Sequence, residues 1–354
     1  MLNFRSIILL FVVLLSSKVS AQVQLDGFEF FGDDESVIQA KLTSDFKFLR
    51  KTKMNTAYQD AVFTMFNENG DSLSLDVKVK VRGEFRRAQC SFPPIKIKFK
   101  KDDFTNSSVK KYNKLKWITH CQSGKSQSDK VIEEYLIYKS YEYLTNFSFR
   151  VRLMAVEYVD TGSKKSPGTY YAFITEDIDQ VAERNGALEV ENITLHPELA
   201  DREISTILPL AMYMIGFTDW SVMKQHNIKL IKIENSLRKP IPIPYDFDYS
   251  GIIDPAYAVP PEFLGIESIT QRVYRGFCRL DGEWNDARKL YSDNKENILN
   301  VWRNDQQLSE KAAKTDVKYL EEFFDILEVD KKFARTVLAE CRGGVQTEIG
   351  GIKD

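Results

Sequence analysis

LSLDVKVKV (residues 73–81), the loop RGEFRRAQCSFPP (82–94) and the run IKIKF (95–99) decide the reading of the fold. In the first run Leu73, Leu75, Val77, Val79 and Val81 alternate with polar residues, the period of a strand with one apolar face. In the last, Ile95, Ile97 and Phe99 share one face, so Lys96 and Lys98 share the other. Upstream, AVFTMF (61–66) is separated from the first run by Asn69-Gly70, a strong signal for a tight hairpin. These runs predict an antiparallel meander. Working outward, strands over 115–119, 151–159 and 169–175 are expected, with a helix over 128–144 that Ser128 or Asp129 caps.

Beyond residue 177 the pattern turns helical. Helices are expected near 203–216, 286–302 and 316–340, with strands over 227–233 and 241–245 between the first two. There is no internal repeat, and no linker is long enough to separate independent modules. The organisation this predicts is α+β: a signal peptide over 1–21, a sheet-rich N-lobe over 22–176 and a helical C-lobe over 177–354.

Composition bounds the function. The 354 residues carry 49 basic against 51 acidic side chains, a formal net charge of -2, which excludes a chain-wide footprint for nucleic acid. At the N-terminus Arg5 precedes a nine-residue apolar run (7–15) and the small residues Val19-Ser20-Ala21. This is the pattern of a secretory signal cut after Ala21, so a mature chain exported to the periplasm, cell surface or medium is expected, with no membrane-spanning segment. Export permits disulfides. Of the pairings open to Cys90, Cys121, Cys278 and Cys341, proximity in sequence favours Cys90–Cys121 and Cys278–Cys341.

One constellation carries chemistry. Asp219 ends a helix, Asn227 opens a strand, and Asp246 and Asp248 follow a second short strand. A carboxamide and carboxylates at one sheet edge suit a hard cation such as Mg²⁺, and a separate carboxylate can take a proton from a hydroxyl. A plainer reading makes Asp246 and Asp248 caps of the turn into Ser250-Gly251.

Four motifs in order, RGEFRR (82–87) with FPPIKIKF (92–99), TYYAFITEDID (169–179), TDWSVMKQHNIKLI (218–231) and IPYDFDYSG (243–251), resemble the CotH kinase-like family, named for a spore-coat protein. The resemblance covers most of the mature chain. It departs at Tyr245, where Trp is common, and at His226-Asn227, where an Asn pair is common. There is also no Gly-rich phosphate loop of the usual kinase kind.

The resemblance implies a two-lobed, atypical protein-kinase-like fold that binds ATP and Mg²⁺ and phosphorylates a protein or cell-surface acceptor. The alternative is a catalytically inactive binding or assembly module of the envelope. Carried over by motif, Asp219 is the catalytic base, Asn227 and Asp246 are metal ligands, and Asp248 is a second metal ligand or its support. Arg82, Gly83 and Arg86 form the loop over the phosphates. Lys96 or Lys98 holds phosphate and pairs with Glu133 or Glu134, and Glu176 lies in a hinge (174–177) against which adenine stacks.

Overall fold

The computed structural model describes residues 31, 36–67, 69–101, 112–124 and 126–343; the expected signal peptide lies outside them. The meander forms as its alternation requires, with a short helix, α1 (Phe46–Lys51), between its first two strands. Strands β1 (Ile38–Ser44), β2 (Gln59–Phe66), β3 (Ser72–Val81), β4 (Ile95–Phe99), β5 (Lys114–Ile118), β6 (Val151–Asp160) and β7 (Gly168–Thr175) join in the order β1-β2-β3-β4-β5-β7-β6. β6 then pairs with β1, in parallel, and closes the sheet into a barrel.

The α+β class holds, but the closed barrel does not match the expected two-lobed kinase-like fold. The element that overturns the expectation is β1. Its sequence, IQAKLTS, is short and polar enough to escape a pattern reading, yet Leu42 lies opposite Phe63 of β2 and beside Tyr158 of β6. A sheet with both edges joined has no edge strand left exposed.

The barrel is filled. Leu42, Phe63, Val79, Ile97, Trp117, Val156 and Ile174 are fully buried in its interior. β4 alternates buried and half-buried positions, whereas the first four residues of β6 are all buried. The reason is a second core on the outside of the barrel wall. There Leu153 and Phe173 join helix α3 (Ser126–Glu142) and the elements that follow the barrel.

Those elements are α4 (Ile178–Arg184), β8 (Ala187–Glu189), α5 (Ile204–Met214), β9 (Ile228–Ile233), β10 (Ile241–Pro244), α6 (Asp281–Arg303), α7 (Glu310–Glu328) and the short α8 (Asp330–Phe333). β10, β9 and β8 make a three-stranded antiparallel sheet. The indole of Trp302 on α6 donates to Ser140 Oγ on α3 at 2.8 Å, and Tyr291 donates to the Ile207 carbonyl on α5 at 2.9 Å. Apolar burial thus locks α3 between the barrel and the helical half.

Both expected disulfides form. Cys90–Cys121 joins the loop after β3 to the chain leaving β5, and Cys278–Cys341 joins the segment before α6 to the chain after α8. Among the described residues, no helix is long and apolar enough to cross a membrane.

Candidate functional site

Strand register builds one wall of a cleft. On the face of β3, β4 and β5 turned away from the barrel core, Lys80, Lys96 and Lys116 stand in one cross-strand row, and Lys78, Lys98 and Lys114 in the next. Like charges directly opposite one another are unfavourable. Lys78 is relieved by Asp60 at 3.0 Å, and Lys80 and Lys98 lie 5.0 and 5.8 Å from the Tyr58 ring centre. Burial pushes the Lys96 ammonium down, and Lys114, Lys80 and Arg82 push it further, against the pull of Asp177. Lys116 is pushed down to about 8, by burial first and then by Arg82, while Asp246 opposes the change. Its ammonium sits 4.5 Å from the Tyr245 ring centre. Lys116 is therefore the lysine in the field of Asp246.

The opposite wall comes from the chain leaving β10. Asp246 is left-handed (φ 61°), a conformation Asp tolerates better than most residues, and its N–H donates to Tyr138 Oη on α3 at 2.9 Å. The turn that follows brings Asp248 inward, where the Tyr257 hydroxyl donates to it at 2.6 Å. The glycine of this motif is needed for close approach. A Cβ on Gly251 would lie 2.6 Å from the Ile269 carbonyl oxygen, and the Gly251 N–H donates to the Gly216 carbonyl at 3.0 Å.

Between the walls lies the arginine loop. Gly83 (φ 72°) turns the chain out of β3 into a short helix, α2 (Phe85–Gln89), and the Cys90–Cys121 bridge pins its far end. Arg86 donates to the Thr119 carbonyl at 2.7 Å, and its guanidinium lies 3.6 Å from Asp248 and 3.7 Å from Glu134. Burial works against the Arg86 charge, but Tyr257, Asp248, Glu134 and Asp246 outweigh it and hold the proton. Burial raises Glu134 well above the usual carboxylate range, with Asp248 adding to the rise. Asp248 is raised to about 6, by burial first and with Arg86 opposing.

Several buried atoms here have no hydrogen-bond partner among the described residues: Nε of Arg82, Nε and Nη1 of Arg86, and Oε1 of Glu134. Buried polar groups are ordinarily satisfied, and each exception asks for an explanation. A cavity of about 350 Å³ is lined in part by Arg86, Glu134, Asp248 and Tyr257, while Arg82, Asp246 and the lysine rows lie outside its lining.

The third group stands at the head of β9. The Asn227 amide nitrogen donates to the Asp219 carbonyl at 2.7 Å and to its carboxylate at 3.3 Å, and His226 Nε2 lies 2.9 Å from the same carboxylate. A carbonyl acceptor fixes which end of the amide faces Asp219, so the Asn227 oxygen turns away from it. The Tyr245 N–H donates to the Asn227 carbonyl at 3.1 Å, which sets Asn227 beside the residue preceding Asp246.

The structure thus brings together Arg82, Arg86, Glu134, Asp246 and Asp248, with Lys96 on the adjoining wall. Of the two glutamates left open, Glu134 faces this cluster, while Glu133 bonds Lys130 at 3.1 Å. Lys98 stands in the second lysine row. Glu176 is engaged elsewhere: its buried carboxylate is held by Arg150 at 2.8 Å and Arg184 at 3.2 Å, and its N–H donates to the Arg150 carbonyl. The sequence reading passed over Lys116, Tyr138 and Tyr257. The strand bearing Lys116 was legible, but its place opposite Lys96 depends on a long-range pairing.

Among the described residues no three His, Cys, Asp or Glu side chains converge to hold a metal ion. That donor set is too sparse for a protein-made cage. Asp246 and Asp248 on one turn offer two carboxylates, the number Mg²⁺ takes from protein where substrate phosphates supply the other oxygens. The unsatisfied arginine N–H groups suit phosphate oxygens equally well. No protein-family profile and no curated protein matches the chain.

Proposed function

We propose that the cleft binds a magnesium-complexed nucleoside triphosphate, ATP under the family resemblance, and that the chain transfers its terminal phosphoryl group to a protein or envelope acceptor. The carrying observation is the set of unsatisfied Arg82 and Arg86 N–H groups buried beside Asp248 and Glu134. Arg82, Arg86 and Lys116 hold phosphate oxygens, and an anion facing Lys116 opposes the burial that pushes its ammonium down. Asp246, with Asn227 Oδ1 or Asp248, supplies the cation's protein oxygens. When bound, Mg²⁺ offsets the negative charge on the phosphoryl oxygens. Asp219 accepts the acceptor hydroxyl's proton, and His226 at 2.9 Å orients its carboxylate. The two disulfides support an exported, oxidising setting for this activity.

Thermal unfolding with and without Mg-ATP tests the binding. A ligand at about 100 times its dissociation constant stabilises the native state by about 2.7 kcal/mol. Asp246→Asn keeps a residue that tolerates the left-handed backbone, so it should melt normally without ligand and lose the ligand-induced rise. Asp219→Ala should keep the rise and lose phosphoryl transfer. A wild-type melting temperature indifferent to Mg-ATP ends the reading.

A second reading, binding without transfer, draws support from Tyr257, whose hydroxyl already occupies Asp248. A wild-type chain that is stabilised by Mg-ATP but transfers no phosphate to itself, to general protein acceptors or to water would favour it.

A further inference from the structure

Behind the Thr218–Trp220 segment lies a second, separate pocket of about 150 Å³. Its walls are apolar: Leu208, Pro209, Val222, Pro242 and Phe277. A dry cavity of about this size, lined by aliphatic side chains, accepts a benzene ring. The remaining lining is of another kind. Arg275 uses Nη1 to hold the Thr218 and Trp220 carbonyls, and its guanidinium lies 5.5 Å from the Trp220 ring centre. Its Nε is buried without a hydrogen-bond partner among the described residues, and so is the indole N–H of Trp220. Two residues that carry unsatisfied donors therefore line one apolar hollow.

Charge points the same way. Arg342 lines the pocket as well, with its backbone tied by the Arg342 N–H to the Gly276 carbonyl and by the Cys278 N–H to the Arg342 carbonyl. Burial pushes the Arg275 guanidinium down and Arg342 pushes it further, with Asp219 opposing. The neighbouring Arg279 is already consumed by Glu198, Thr206 and the Ser205 carbonyl. Arg275 and Arg342 thus both line this space and bring positive charge to it.

We infer that this pocket is a binding site for a ring-sized apolar group bearing a carboxylate. The apolar walls take the ring, and the carboxylate meets Arg275 Nε, the Trp220 indole N–H and Arg342. The site stands on its own observations and needs neither nucleotide nor magnesium. Under the phosphotransfer reading, its place beside Asp219 makes it the acceptor side of the active centre.

The probe is 3-phenylpropanoate, added to the full chain without nucleotide or magnesium. The readout is the indole N–H resonance of Trp220, one of four tryptophans in the chain. The expected result is a saturable downfield shift of that resonance, with 3-phenylpropan-1-ol binding about tenfold weaker, as the loss of a charge-assisted hydrogen bond implies. Arg342→Ala, whose side chain makes no hydrogen bond or ion pair among the described residues and whose backbone ties survive substitution, should fold normally and weaken the acid about tenfold. Arg342→Lys should recover part of the loss. A peptide ending in phenylalanine that binds more tightly than the free acid assigns the carboxylate to a polypeptide terminus; equal binding assigns it to a small molecule. The inference is overturned if acid and alcohol bind alike, if Arg342→Ala binds the acid unchanged, or if the Trp220 resonance does not move.

Discussion

The barrel interior and the cleft on its outer wall are built from the same strands and obey opposite rules. Inside, Leu42, Phe63, Val79, Ile97 and Val156 are fully buried, and the indole N–H of Trp117 meets Tyr158 Oη at 3.1 Å. Outside, Lys80, Lys96 and Lys116 oppose one another, and Arg82, Arg86 and Glu134 keep buried atoms unbonded. An unsatisfied buried donor or acceptor costs about 1–3 kcal/mol, so the cleft is held open at the expense of stability that the interior supplies. On β3, β4 and β5 one side serves folding, and under the proposed function the other serves a ligand. Neighbouring residues on a strand face opposite ways, so the two demands do not compete for positions.

The sharpest way to break this contrast is at Trp117. Trp117→Ala removes the largest side chain at the barrel centre and strands the Tyr158 hydroxyl, and it should cost about 3–5 kcal/mol. Chemical denaturation measures it. A loss below about 1 kcal/mol would mean that the interior is loosely packed and that the contrast fails.

The disulfides come next. Each closes a loop, over 31 residues for Cys90–Cys121 and 63 for Cys278–Cys341, and removing either pair should cost about 2–4 kcal/mol, slightly more for the longer loop. Ligand binding separates them. Cys90Ala/Cys121Ala frees the end of the arginine loop and should weaken Mg-ATP binding, whereas Cys278Ala/Cys341Ala should leave it unchanged once the protein is folded. Equal effects on binding would show that the first bridge does not position Arg82 and Arg86.

What was legible in the sequence follows the same division. Strands with alternating apolar residues announce themselves, so β3, β4, β6 and β7 are found close to their expected bounds. β1 is not. IQAKLTS offers only Ile38, Ala40 and Leu42 to an alternating face, and its role comes from pairing with β2 and β6 on either side. The barrel closure was lost with it. At the site, the position of Asp246 and Asp248 after a short strand was legible from the residues, whereas Arg82 and Arg86 entered only through the family resemblance. The groups that face them, Lys116, Tyr138 and Tyr257, come from elements joined only by long-range register or packing. Nothing local marks them.

The smallest expected effect tests whether buried acids outside the cleft behave as those inside it do. Asp316 on α7 is 3% exposed and its Oδ2 has no partner among the described residues. Burial raises it to about 7, with Lys130 opposing and Asp129 adding, and burial raises Glu133 on α3 to about 8. A carboxyl raised in the folded state binds its proton more tightly there than in the unfolded chain. The stability it contributes is therefore present at low pH and is lost as pH rises from about 4 through about 7. Asp316→Asn removes the titration, so it should match wild type near pH 4 and exceed it by about 1–2 kcal/mol near pH 8. Urea midpoints at the two pH values decide it, and equal midpoints near pH 8 would place Asp316 in contact with solvent. Asp248, raised only to about 6, loses its contribution over a lower range. Magnesium separates the two: under the proposed function it should relieve the cost at Asp248 above pH 6 and leave the Asp316 slope untouched, because only the cleft acid faces groups arranged for a cation and its phosphates.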